Sequence, residues 1–287
     1  MKTEGHALPL ASVLLALLAL WYVGATWMNR QLVTQKLGES YSAEAYIAAA
    51  WSLERPVMPA PHQVAEEFWE TVFAKDPTSR RSLVYHAGIT GSAALVGFLL
   101  GALLGILLAV GIVHNRTLDR SLLPWIIASQ TVPILAIAPM IIVVLGNLGL
   151  TGLMPKAVIS MYLCFFPVAI GMVKGLRSPD PLQLDLMRTY SASEAQLFWK
   201  LRWPAAMPFL FTSLKVAVAI SLIGAIVGEL PTGAQAGIGA RLLSGSYYGQ
   251  TVMIWAALFM SAFLGMILVA LVTTAERRVG RRMGVEP

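Results

Sequence analysis

The chain alternates long apolar runs with shorter polar ones, on a period far longer than that of an ordinary amphipathic helix or strand. A window of about 19 residues finds six such runs, at 8–27, 87–113, 122–145, 156–175, 205–230 and 252–274. Each is near the roughly 20 residues that an α-helix needs to cross the hydrocarbon core of a bilayer. The pattern predicts an all-α, polytopic membrane helix bundle with six transmembrane helices. The first run could be a signal peptide, since Lys2 precedes it and Val23-Gly24-Ala25 resembles a cleavage site. Its length favours a retained N-terminal span over 1–28, because a signal's apolar core is roughly 7 to 15 residues.

Composition removes the soluble alternatives. Apolar residues make up 57% of the chain and charged ones only 13%, about half the share of an average soluble domain. The lone Cys164 excludes a disulfide scaffold. A net charge of +6 raises the question of nucleic acid, but its distribution points to topology instead. Twelve basic residues share one side: Lys2, Arg116, Arg120, Lys174, Arg177, Arg188, Lys200, Arg202, Arg277, Arg278, Arg281 and Arg282. The short third and fifth loops carry only Lys156 and Arg241. By the positive-inside rule the first side is cytoplasmic, with both termini inside and 276–287 a basic cytoplasmic tail. The segment 29–82 is then a periplasmic loop. Within it, 63–74 places Val64, Phe68, Val72 and Phe73 on one helical face after a Pro59-Ala60-Pro61 stop. That pattern suits an amphipathic helix lying on the outer membrane surface or packed on its own protein.

The spans carry little chemistry. No carboxylate, His or Arg falls near mid-membrane, as proton or sodium coupling would require. Lys215 lies about ten residues past Pro204, and Glu229 lies at the far end of the same span, where it is a candidate gate residue. No Ser/His/Asp set and no metal-spaced His/Cys cluster occurs, so neither a catalytic residue nor a metal site is expected. Ala93, Gly97, Gly101, Gly105 and Ala109 form one stripe of small residues, and Ser213, Ala217, Ser221 and Ala225 form another; each predicts close helix packing. The third run contains Pro124, Pro133 and Pro139, which can kink it. Ser129, Gln130 and Thr131, beside Pro133, line a solute path or serve as interhelical hydrogen-bond donors.

The connection over 176–204 is long for a bundle of short loops. Pro181 suits the first turn of one helix, and Ser193 with Gln196 forms a capping box that starts a second, which Pro204 would end. Leu184, Leu186, Met187 and Tyr190 beside Arg188 make a plausible knob for a groove in another protein.

The spacing of this loop resembles the cytoplasmic signature of binding-protein-dependent ABC importer permeases: an E-A-A triplet, three residues, Gly, nine residues, then I-x-L-P. Here the triplet falls on Asp185-Leu186-Met187, Ser191 stands where the family has Gly, and the ending falls on Leu201-Arg202-Trp203-Pro204. Phe165-Phe166-Pro167, Gly175-Leu176, Val132-Pro133 with Pro139 and Gly146, and Pro59-Ala60-Pro61 resemble the nitrate, sulfonate, taurine and pyrimidine-precursor branch. The likeness covers roughly residues 57 to 275.

The resemblance implies a type I importer permease fold whose core transmembrane domain is 83–275. Two permease copies, a homodimer by default, would form the path. The 176–204 loop would dock on a cytoplasmic ABC ATPase, with Asp185, Leu186, Met187, Arg188, Tyr190, Ser191 and Pro204 as its coupling residues. No G-x-x-x-x-G-K-[ST] loop occurs in this chain, so it would bind no cofactor itself, ATP and Mg residing on the ATPase. A periplasmic or lipid-anchored solute-binding protein would deliver solute to outer loops, including 231–249. The competing readings are a secondary transporter or channel working without ATP, and a membrane-embedded enzyme.

Overall fold

A computed structural model describes residues 7–38, 41–231 and 235–283. Lys2 and His6 lie outside these residues. The described elements are helical, and they fall into two compact units: one up to His86 joined by Arg241–Ser261, the other Ala87–Ala240 with the chain from Ala262 onward. Among the described residues five helices are long and apolar enough to cross a membrane, or six spans if the bent pair Arg116–Ser129 and Ile134–Asn147 counts as one.

The first unit starts with α1 (Ala7–Met28), followed by α2 (Arg30–Leu37), α3 (Ala43–Trp51) and α4 (Pro61–Trp69). Most of α1 is exposed, as a lipid-facing helix must be; Leu8 is 82% and Leu20 67% accessible. Its far end is anchored by aromatic groups. Trp21 donates to the Pro59 carbonyl at 2.9 Å and lies 4.8 Å from Trp255, while Tyr22 stacks on His62. Asn29, fully buried at the start of α2, fastens the unit internally. Its amide donates to the carbonyls of Ala50 and Met58 and accepts from the N–H groups of Val57 and Met58. Every polar atom of that side chain is thereby satisfied, which is what permits its burial.

On α4, Val64 is buried and Phe68 and Val72 are half-buried, so the apolar face packs on its own protein. Phe73 departs from the sequence expectation. It is 64% exposed and packs on the equally exposed Trp69, ring centroids 4.5 Å apart. The helix widens into a π-turn over Glu70–Ala74, and the extra residue in that turn rotates the following side chains off the inward face.

The second unit contains most of α5 (Leu83–His114), then α6 (Arg116–Ser129), α7 (Ile134–Asn147), α8 (Leu153–Leu176), α9 (Pro181–Thr189), α10 (Glu194–Leu197), α11 (Trp203–Glu229), the start of α12 (Ile238–Tyr247), whose residues from Arg241 on belong to the first unit, and much of α13 (Thr251–Arg282). The third apolar run is broken: α6 and α7 meet at 101°. Pro133 has no N–H to give the preceding turn and its ring disfavours helical backbone at Val132. The break therefore falls there. Pro124 and Pro139 sit inside α6 and α7 and do not interrupt them.

Both small-residue stripes meet α8. A Cβ on Gly97 would overlap Ser160, one on Gly101 would overlap Cys164, and one on Gly105 would press on Phe165 and Val168. Across the other face, Gly171 lies against Ser213, Gly175 against Ala206 and Gly224 against Ser160. Small residues let backbones approach where lipid gives no hydrophobic drive to associate. Two helices, α5 and α11, are thus clamped on α8, and its Cys164, Val168 and Met172 are fully buried between them.

Pro204 does not end a short helix. The chain runs from Glu194 to Glu229 as one 36-residue helical rod, and Pro204 sits in the first turn of α11. A π-turn at Phe198–Arg202 makes this possible, with the Trp203 N–H reaching back to the Phe198 carbonyl. The wider ring accommodates a proline that would clash with an ordinary preceding turn.

Candidate functional site

The 176–204 connection is built by local rules. Asp180 caps α9, its carboxylate accepting from the Leu182 N–H at 2.7 Å, while the Asp180 N–H donates to the Gln183 Oε1 at 3.2 Å. Pro181 holds the first helical position. At the other end Ser191 adopts φ 51°, the only non-glycine residue with positive φ among the described residues. The Ala192 N–H bonds to Met187 O at 3.0 Å and the Ser191 N–H to Arg188 O at 2.8 Å. This is a Schellman ending, usually made by glycine. Ser191 thus holds a left-handed turn position that glycine most often supplies. Ser193 and Gln196 then form the expected capping box that opens α10.

The helix so closed carries an exposed apolar stripe. Leu182 is 79%, Leu186 56% and Tyr190 77% accessible, at an i, i+4, i+8 spacing that places them on one face. Met187 and Leu184 lie on the half-buried face instead. Leu182 was not foreseen, although that spacing was its signal. Asp185 and Arg188 pair at 3.0 Å on the surface, and Arg177 meets Asp119 at 2.9 Å where the loop begins. Phe198, buried beside Trp199, Trp203 and His114, anchors the rod's base.

The other end of α11 holds the opposite arrangement. Glu229 is completely buried. Lys156 of α8 reaches its Oε1 at 3.2 Å, the Thr90 hydroxyl of α5 donates to it at 3.0 Å, and the Gly239 N–H of α12 donates at 2.8 Å. Thr90 also accepts from the Ile238 N–H, and Lys156 donates to the Ala236 carbonyl. Gly237, at φ 129°, lies so close to the carboxylate that any Cβ there would overlap it. A buried carboxylate is tolerated only when paired and multiply hydrogen-bonded, and these contacts supply both conditions. Lys156, counted from sequence as a loop charge, is the partner. Beside it opens a cavity of about 800 Å³ lined by Ser92, Gly146, Thr151, Lys156, Gln235 and Ala236 among others. Lys215, by contrast, pairs with Glu276 at 2.9 Å.

Ser129, Gln130 and Thr131 sit at the break between α6 and α7. The Ser129 and Thr131 hydroxyls donate to the carbonyls of Ile126 and Ala128, and Tyr162 donates to the Ser129 carbonyl. These bonds cover backbone carbonyls at the bend, while the Gln130 and Thr131 side chains are largely exposed.

Residues 101–285 match the family model described as binding-protein-dependent transport system inner membrane component. Three relatives agree. A probable ABC transporter permease of Haemophilus influenzae is 30% identical over 77% of this chain and 85% of its own. The formylaminopyrimidine transport permease of Halalkalibacterium halodurans is 32% identical over 67% of this chain and 74% of its own. The riboflavin transport system permease of Chloroflexus aurantiacus is 30% identical over 78% and 80%. With its apolar spans and the 176–204 spacing, the chain belongs to the family of binding-protein-dependent transport system inner membrane components, and is a multi-pass ABC transporter permease subunit.

Proposed function

We propose that the chain is the membrane-spanning subunit of an ATP-driven importer in the bacterial plasma membrane. Both termini and the 176–204 loop face the cytoplasm in this reading, and the loop seats in a cleft of a separate ATPase. One observation carries it: the exposed Leu182, Leu186 and Tyr190 on a helix closed at both ends. A merely solvated connection has no need of three large apolar side chains held on a capped helix, whereas a groove in a partner does. Asp185 and Arg188 lie beside them and can exchange their mutual pair for charges on the ATPase. ATP and Mg belong to that partner.

A second copy of this chain completes the path, and a solute-binding protein, free in the periplasm or lipid-anchored, delivers solute to the outer segments. Glu229 with Lys156 serves as an outer gate, and Ser129 to Thr131 line the path where the third span breaks. The solute is small, of the nitrate, sulfonate, taurine or pyrimidine class. A neutral heteroaromatic compound is favoured, because the spans hold no arginine cluster and Glu229 neutralises Lys156 beside the cavity. Relatives named for formylaminopyrimidine and riboflavin support that preference.

The test is ATP-dependent uptake in vesicles containing the assembled transporter. Leu186→Glu and Tyr190→Ala should abolish or strongly reduce uptake while membrane insertion stays normal. Undiminished uptake in both would remove the coupling role from this helix.

A further inference from the structure

The first unit holds a concavity of about 480 Å³ that the transport reading does not use. Four basic side chains line it, Arg55, Lys75, Arg81 and Arg241, against three acidic ones, Glu54, Glu67 and Glu70; four minus three leaves one positive charge. The charges are unevenly satisfied. Glu70 accepts from Lys75 in an ion pair, and that bond holds its carboxyl below the usual range. Among the described residues Arg55, Arg81 and Arg241 have no ion-pair partner, and the Arg241 Nε is buried without an acceptor.

A guanidinium offers donors in a planar fork matched to an oxyanion. We infer that this pocket binds one oxyanion group, a carboxylate, sulfate or phosphate, on the Arg241 fork, with Arg55 and Arg81 contributing the surrounding positive charge. The free anion would satisfy the buried Nε and offset the desolvation of the group that carries it. The inference stands on the first unit alone and does not depend on ATP coupling.

Glu67 competes for the same guanidinium. Burial, then the neighbouring Glu70, push its carboxyl above the usual range, against the opposing pull of Arg241 and Lys75. Arg55, Arg81 and Glu54 line the same concavity. Ionised, Glu67 offers Arg241 a rival negative charge; protonated, it does not. Anion affinity therefore rises as pH falls through the raised Glu67 titration.

The test uses the full chain in phosphatidylcholine nanodiscs. Sulfate, phosphate and acetate are titrated against chloride at matched ionic strength, with thermal unfolding and tryptophan fluorescence as readouts. At least one oxyanion should act saturably where chloride does not. Arg241→Gln should weaken the response about tenfold, the effect of losing one charge-assisted pair, with Arg81→Gln as the second variant should the first fail to fold. The native protein should bind more tightly at about pH 5 than at about pH 8, and Glu67→Gln should flatten that dependence. Phosphatidylglycerol in the disc separates the sources: if it occupies the site the sulfate response disappears, and if a free anion is the occupant the response survives. A response equal to that of chloride, or an unchanged midpoint in the arginine variants, overturns the assignment.

Discussion

The two ends of the rod from Glu194 to Glu229 are stabilised by opposite means. At one end, α9 and α10 are closed by Asp180, Ser191 and Ser193, each bonded to backbone within a few residues. Their outward side chains are left for something else to cover. At the other end, Glu229 is joined to residues 73 and 139 positions away, Lys156 and Thr90, and nothing of it is exposed. Local caps fix the shape of a surface without committing its side chains. Long-range ionic contacts fix the relative positions of helices and use up the groups that make them. The first arrangement suits docking; the second suits a joint between α5, α8, α11 and α12.

That contrast is most sharply tested at Glu229. Glu229→Ala leaves the Lys156 ammonium buried and unpaired, which should cost about 3–5 kcal/mol and lower the unfolding temperature in nanodiscs. Glu229→Leu with Lys156→Met should recover most of the loss, because the apolar pair leaves no charge unsatisfied. Failure of the double variant to recover stability would mean that the hydrogen bonds to Thr90 and Gly239, and not the charge pair, hold the joint. Gly101→Leu should come next. It forces a side chain into Cys164 and the α8 backbone, an overpacking cost of about 1–3 kcal/mol visible as loss of properly inserted protein. Ser191→Gly should have a smaller effect of opposite sign, stabilising the loop by up to about 1 kcal/mol, since glycine meets no Cβ penalty at positive φ. Amide hydrogen exchange over 186–193 would register it as slower opening. Leu186→Glu should change stability least, by under about 0.5 kcal/mol, because the side chain is exposed. A marked destabilisation there would blur the distinction between the two ends.

What could be foreseen from sequence follows the same division. The capping box at Ser193 and Gln196, the first-turn Pro181 and the packing stripe through Gly101 involve residues a few positions apart, where helix periodicity and hydrogen-bond geometry dictate the outcome. The Lys156–Glu229 pair could not be foreseen, because two charges near the ends of different spans look like ordinary flank residues until the helices are placed together. Asn29 was missed for the same reason, its partners lying 21 to 29 residues onward. The 101° break at Pro133 exceeded the expected kink, since the angle depends on what α6 and α7 pack against. Phe73 and Pro204 were misplaced by π-turns, which insert a residue without any marker in the apolar pattern.

The unbroken rod has a mechanical consequence. At 1.5 Å per residue, its 36 residues reach about 54 Å, against roughly 30 Å of hydrocarbon. Almost half its length therefore projects beyond the apolar slab or lies obliquely within it. A continuous helix of that length can act as a lever: tilting about its midpoint displaces Glu194 and Glu229 in opposite directions by comparable amounts. Force applied at the base would arrive at the Glu229 joint as displacement, with no chain of intermediate side-chain rearrangements needed to carry it.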